Sequence, residues 1–171
     1  MTPRAGHLAR RFFAVLTAGP LQPGEQAEVA RWLRPAERPL FWSQPPADQR
    51  HGLDGARAVL ARRPERPDLV RAALLHDVGK RHSSLGTLRR TLVTVAAALG
   101  LPLRGRFAAY RDHGPIGAGD LAEAGAEALV VEFARHHHAA RPAGIPRDDW
   151  EVLQRADHER KPPRPPRPPI P

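Results

Sequence analysis

The sequence predicts an all-α fold, a helical bundle, and three observations carry that expectation. Alanine and leucine dominate the apolar positions while β-branched residues are sparse, a balance that favours helix over strand. Apolar residues recur at helical spacing, and no stretch alternates in a sustained strand pattern. Proline, glycine and acidic residues punctuate the chain where helices would start and stop.

The elements follow in order. A first helix is expected over about His7 to Thr17, ending at Gly19-Pro20, and a second from Pro23 through Val29 and Leu33 to the break at Pro35. A short helix over Glu37 to Ser43 carries Leu40, Phe41 and Trp42. After the Pro45-Pro46 turn, Asp48 is the expected N-cap of a helix bearing His51, Leu53, Val59 and Leu60, which stops before Pro64. Asp68 is the next expected N-cap, opening a helix through Leu69, Ala72, Leu74 and Leu75 to His76-Asp77, with Gly79 near its end. Leu85, Leu88, Leu92, Val95 and Leu99 mark a core-facing helix over 84–99, with Gly100 as its stop. Further helices are expected over Arg106 to Asp112, Ile116 to Glu123, Glu127 to His137 and Asp148 to His158.

The chain's 171 residues, 41 % of them hydrophobic, suit one main body with a real core. Residues 1–45 form an N-terminal helical extension packed on that core, 46–160 the functional domain, and 161–171 a tail. The tail, Lys161-Pro-Pro-Arg-Pro-Pro-Arg-Pro-Pro-Ile-Pro171, is too rich in proline for helix or ladder and should be disordered or polyproline II. Its spaced arginines suit an SH3-like groove or an acidic surface, but a solubilising tail without a specific partner is the preferred reading.

The net charge of +9 suits nucleic acid, anionic lipid or a phosphorylated small molecule. The preferred reading is a solvated arginine-rich surface, and no specific nucleic-acid binding is expected. Phe12 to Leu16, after Arg10-Arg11, is too short for a membrane span or a signal-peptide core, so a cytoplasmic protein with no membrane partner is expected. Composition leaves the oligomeric state open.

The absence of cysteine excludes disulfides and thiolate metal sites, so any metal must sit among histidines and carboxylates. Nine histidines supply them in excess. His76-Asp77 follows the apolar run Ala72-Ala73-Leu74-Leu75, which pushes two ionisable groups toward the core, where they need partners or a metal. A helix-capping histidine beside a salt-bridged aspartate would read the same. The other positions shift the balance: His51, His113, His136-His137 and Asp157 each lie beside an apolar helical stretch, on different expected helices. Facing helices of a bundle build metal sites in this way.

The order His, His-Asp, His, His-His, Asp resembles the HD-domain superfamily of metal-dependent phosphohydrolases. Leu74-Leu75-His76-Asp77-Val78-Gly79-Lys80 resembles its central motif, and His113-Gly114-Pro115-Ile116-Gly117-Ala118 its following element. The segment from His136 to Pro146 resembles the His-His stretch of the HD-GYP branch, which hydrolyses cyclic dinucleotides, although Gly144-Ile145-Pro146 lacks that branch's tyrosine and His138 stands in place of its glutamate. The resemblance implies that His51, His76, Asp77 and Asp157 hold one metal, and that Asp77 bridges to a second bound by His113, His136 and His137. His138 replaces His137 if the helix phase differs by one residue. One or two divalent ions are implied: Fe or Mn first, with Mg, Zn, Ni and Co as further candidates.

The implied chemistry is a metal-activated water attacking a phosphorus, with Asp77 and Lys80 as the catalytic residues. Lys80 can bind a phosphoryl oxygen or simply interact with the helix dipole. Arg81 and Arg50 are further candidates for binding substrate, within a basic mouth that also draws on Arg89 and Arg90, although Asp48, Gln49 and Arg50 also suit a helix-start network. Hydrolysis of a phosphomonoester or phosphodiester, of a nucleotide or cyclic nucleotide, is the leading reading. A di-iron oxygenase and a silent metal-stabilised binding module are the alternatives.

Overall fold

The computed structural model describes residues 19–83, 85, 93, 96 and 100–158. The helix expected over 7–17, most of that expected over 84–99, Arg89, Arg90 and the proline-rich segment 161–171 lie outside the described residues. Among the described residues the fold is all-helical, without strands. In chain order the helices are α1 (Pro23–Trp32), α2 (Arg38–Trp42), α3 (Pro46–Leu60), α4 (Pro67–Leu75), a 3-10 helix (Val78–Ser83), α5 (Arg106–Arg111), α6 (His113–Glu123), α7 (Ala128–His136) and α8 (Arg147–His158). None is long and apolar enough to cross a membrane.

Two starts differ from expectation for the same reason. Pro46 and Pro67 occupy the first turns of α3 and α4, so the caps are Pro45 and Arg66 rather than Asp48 and Asp68. A fixed φ and a missing N–H suit proline to that place. Asp68, now inside the first turn, accepts from Arg66 Nε and Nη2 at 3.0 and 2.8 Å, and the same guanidinium reaches Asp149 of α8 at 2.9 Å. One arginine therefore ties the start of α4 to the start of α8.

α4 is the hub. Every residue from Leu69 to Leu75 is buried, and α3, α7 and α8 pack around it. α3 approaches closely because it offers glycine at the crossing: a β-carbon on Gly52 would lie 2.8 Å from the Leu74 carbonyl oxygen. Leu53, Val59, Leu74, Val130, Phe133 and Leu153 fill the space between these helices. Full burial of such a side chain contributes about 1.5–3 kcal/mol. Leu21, Val29, Leu33 and Phe41, from the segment around α1 and α2, join the same core.

On the other side of the hub, α6 packs against both α7 and the 3-10 helix, and α5 against the 3-10 helix. The segment joining α4 to the 3-10 helix is thus clasped between α3, α6, α7 and α8, and it carries His76 and Asp77.

Candidate metal centre

α4 ends at Leu75 and His76 caps it, so the backbone leaves helical register as the two ionisable residues arrive. Both are buried, at 2 % and 3 % exposure. Gly79 then allows the 3-10 helix to lie directly on the start of α6, bringing His113 over Asp77. A β-carbon at Gly79 would meet the His113 carbonyl oxygen at 2.0 Å.

Asp77 divides its carboxylate between two groups of residues. Oδ2 faces His76 Nε2 at 3.4 Å and His51 Nε2 at 3.9 Å. Asp157 completes that side, its Oδ1 2.9 Å from His51 Nε2 and 3.2 Å from His76 Nε2. Oδ1 of Asp77 faces His113 Nε2 at 3.2 Å and His137 Nε2 at 3.5 Å. In the second group, Asp77, His113, His137 and His138 each offer a ligand atom, all within 4.8 Å of one another.

The backbone sets the nitrogens. His76, His113 and His137 each place Nδ1 on the carbonyl three residues earlier, at Ala73, Tyr110 and Ala134, at 2.9, 2.7 and 2.8 Å. A carbonyl only accepts, so Nδ1 carries the hydrogen and each Nε2 is turned to the centre. Carbonyl partners of this kind orient histidine ligands in metal sites.

The electrostatics favour a cation. Burial alone would push the His76 imidazolium down, but Asp77 and Asp157 outweigh it and hold its pKa up at about 9. Burial raises the Asp77 carboxyl, yet Lys80, His76, His113 and His137 together hold it well below the usual carboxylate range. Asp157 is likewise held low, against its burial, by His51 and His76. On the other side, burial and the neighbouring His137 and His113 push His138 down to about 4, and burial lowers His137. His137 and His138 are thereby held in the neutral, metal-binding form. His76 Nε2 and Asp77 Oδ1 are buried and make no hydrogen bond, despite their near neighbours. Leaving such groups unsatisfied costs about 1–3 kcal/mol each. A divalent ion on each side of Asp77 would satisfy both, and the residues fit it.

Of the expected site residues, the structure brings His51, His76, Asp77, His113, His137 and Asp157 together. His136 is not among them. A helix turns about 100° per residue, so His136 leaves the face that His137 uses, and its Nε2 lies 3.5 Å from Glu132 Oε2 one turn back. His138 takes its place: its ring centroid lies 4.0 Å from that of His137 and 5.2 Å from that of His113. The pair beside Asp77 is thus His137-His138, one residue beyond the expected His136-His137.

Lys80 is at the centre, its Nζ 2.5 Å from Asp77 Oδ2. Burial lowers its pKa, but Asp77, Asp48 and Tyr110 outweigh burial and raise it. The two arginines expected to bind substrate are committed elsewhere. Arg50 forms a two-pronged pair with Glu25 of α1, both contacts at 3.1 Å. Arg81 reaches Asp120 of α6 at 3.0 Å, beside His82 on the same carboxylate at 2.8 Å. Partners far away in sequence gave no local sign of either pairing.

Two further residues were missed. Tyr110 lies against His113, ring centroids 5.9 Å apart, and supplies the carbonyl that orients it. Gln154 bonds the His137 carbonyl at 2.7 Å. Its spacing of one helical turn before Asp157 was the available signal.

No curated protein and no solved structure matches the chain at a significant level. The family model of the HD domain matches residues 49–168, a span that begins just before His51 and includes every residue of both groups. HD domains are largely metal-dependent phosphohydrolases, and the buried His/Asp cluster is of the kind that holds their divalent ions. With most of its length matched, the chain belongs to the HD-domain family.

Proposed function

We propose that this protein hydrolyses a phosphomonoester or phosphodiester of a nucleotide or cyclic nucleotide, using water activated at a pair of divalent ions. The observation that carries the reading is the divided carboxylate of Asp77, one oxygen toward His51 and His76 and the other toward His113 and His137. Divalent ions held there would supply a water of lowered pKa and offset the charge of phosphoryl oxygens. His51, His76, Asp77 and Asp157 would hold one ion, and Asp77, His113, His137 and His138 the other. Fe and Mn suit this nitrogen-rich, thiolate-free set, with Mg, Zn, Ni and Co as further candidates.

The chain's own groups do the rest. Asp77 fixes the spacing of the two sides. Lys80, held at Asp77 Oδ2, places an ammonium where a phosphoryl oxygen would arrive, and acts as a point charge on it. The burial of His76, Asp77 and His137 keeps bulk water from the inner face, which strengthens each of these interactions.

Purified protein supplied with Mn or Fe should cleave bis-p-nitrophenyl phosphate, and Asp77→Ala should abolish cleavage. Tight iron with dioxygen consumption and no ester cleavage would select the oxygenase reading instead.

A further inference from the structure

Gln154 of α8 belongs to neither group of ligands, yet its side-chain Nε2 donates to the His137 carbonyl at 2.7 Å. Carbonyls at the C-terminal end of a helix have no intrahelical partner, and this bond supplies one where the backbone leaves α7. His137 caps that helix with φ −56° and ψ −21°, and the Ala139 N–H closes the following turn on the His136 carbonyl at 2.6 Å. The chain folds back there, and the His138 ring comes to stand 4.0 Å from that of His137, centroid to centroid. Three residues after Gln154, and so on the same face of α8, Asp157 reaches His51 and His76. One helix carries a ligand of the first group and the brace of the second.

We propose that Gln154 is a positioning residue for the group of Asp77, His113, His137 and His138. Its amide fixes the turn that directs His138, in place of His136, toward Asp77, and thereby sets the affinity for the second ion without touching it. The proposal rests on the two-ion reading, but not on the identity of the reaction.

The test is a Co(II) titration of the metal-free full-length protein, following d–d absorption and bound cobalt, for wild type, Gln154→Met and Gln154→Asn. Wild type should take up two ions. Gln154→Met, close in size but without the donor, should bind the first as before and the second about tenfold to hundredfold more weakly, as when other groups orienting metal ligands are removed. Gln154→Asn keeps the amide one methylene short of the carbonyl and should show the same selective loss; it decides the matter if the Met variant does not fold. An unchanged second affinity, or an equal loss of both ions in a folded variant, overturns the proposal. Uptake of a single ion by wild type would defeat the two-ion reading along with it. Ester hydrolysis is not measured, so a failure of the hydrolase reading stays separate.

Discussion

Gly79 and His113 meet backbone to backbone: a β-carbon on Gly79 would lie 2.0 Å from the His113 carbonyl oxygen and 2.6 Å from the Gly117 amide nitrogen. No side-chain rotation relieves a clash with two backbones. Gly79→Ala must therefore move the 3-10 helix off α6 and draw Asp77 away from His113. Overpacking of this sort costs about 1–3 kcal/mol. Urea denaturation should show that loss, and metal titration should show the second ion weakened more than the first. Unaltered stability would mean that the two segments do not touch.

The register of the histidine run gives a sharper comparison. His138→Ala should lose the second ion, because it removes one of the ligand atoms clustered within 4.8 Å of one another with Asp77, His113 and His137. His136→Ala should leave both ions bound, because His136 is directed at Glu132. Equilibrium dialysis of the two variants against Mn decides between them. The opposite pattern would restore the register expected from sequence.

Lys80 and Arg50 separate on kinetics. Lys80→Met should lower kcat/KM for a phosphoester by at least about tenfold, the loss of one charge-assisted contact of 1.5–3 kcal/mol. Arg50→Met should leave kcat/KM within about twofold and cost up to about 1 kcal/mol of stability through Glu25, the size expected of a half-exposed pair. Steady-state kinetics with thermal unfolding on each variant reads both effects.

Acid sensitivity follows from Asp68. The Arg66 guanidinium holds its carboxyl below the ordinary value of 3.8, against a smaller opposing effect of burial. A depressed carboxylate stabilises the fold fully above that unfolded value, and the contribution disappears as pH falls through the folded one. Asp68→Asn should cost about 0.5–1 kcal/mol at neutral pH, and the gap from wild type should close as the pH drops below 4. Urea midpoints across that range check the sign. A gap that widens in acid would contradict it.

Much of this was legible along the chain, and the misses have physical causes. Proline and glycine marked the helices, and Val29, Leu53, Val59 and Leu74 lie in the core as their spacing implied. Asp48 and Asp68 misled because Pro46 and Pro67 took the helix starts, leaving the aspartates inside the first turn. The site order from His51 to Asp157 was readable because His76-Asp77 and His136-His137 follow apolar runs and the other residues lie on helices with an apolar flank. The exchange of His136 for His138 was not, because the glutamine that bonds the His137 carbonyl lies on another helix. Arg50 and Arg81 took partners, Glu25 and Asp120, that no local pattern indicates.

If Asp77 joins two ion sites as proposed, both depend on its charge. The most direct test is the metal content of the purified protein after saturation with Mn or Fe, set beside Asp77→Asn, which keeps the shape of the side chain and removes its charge. Wild type should hold two ions per chain, and the variant should bind neither tightly. Two ions retained by folded Asp77→Asn, or a single ion in wild type, would contradict it.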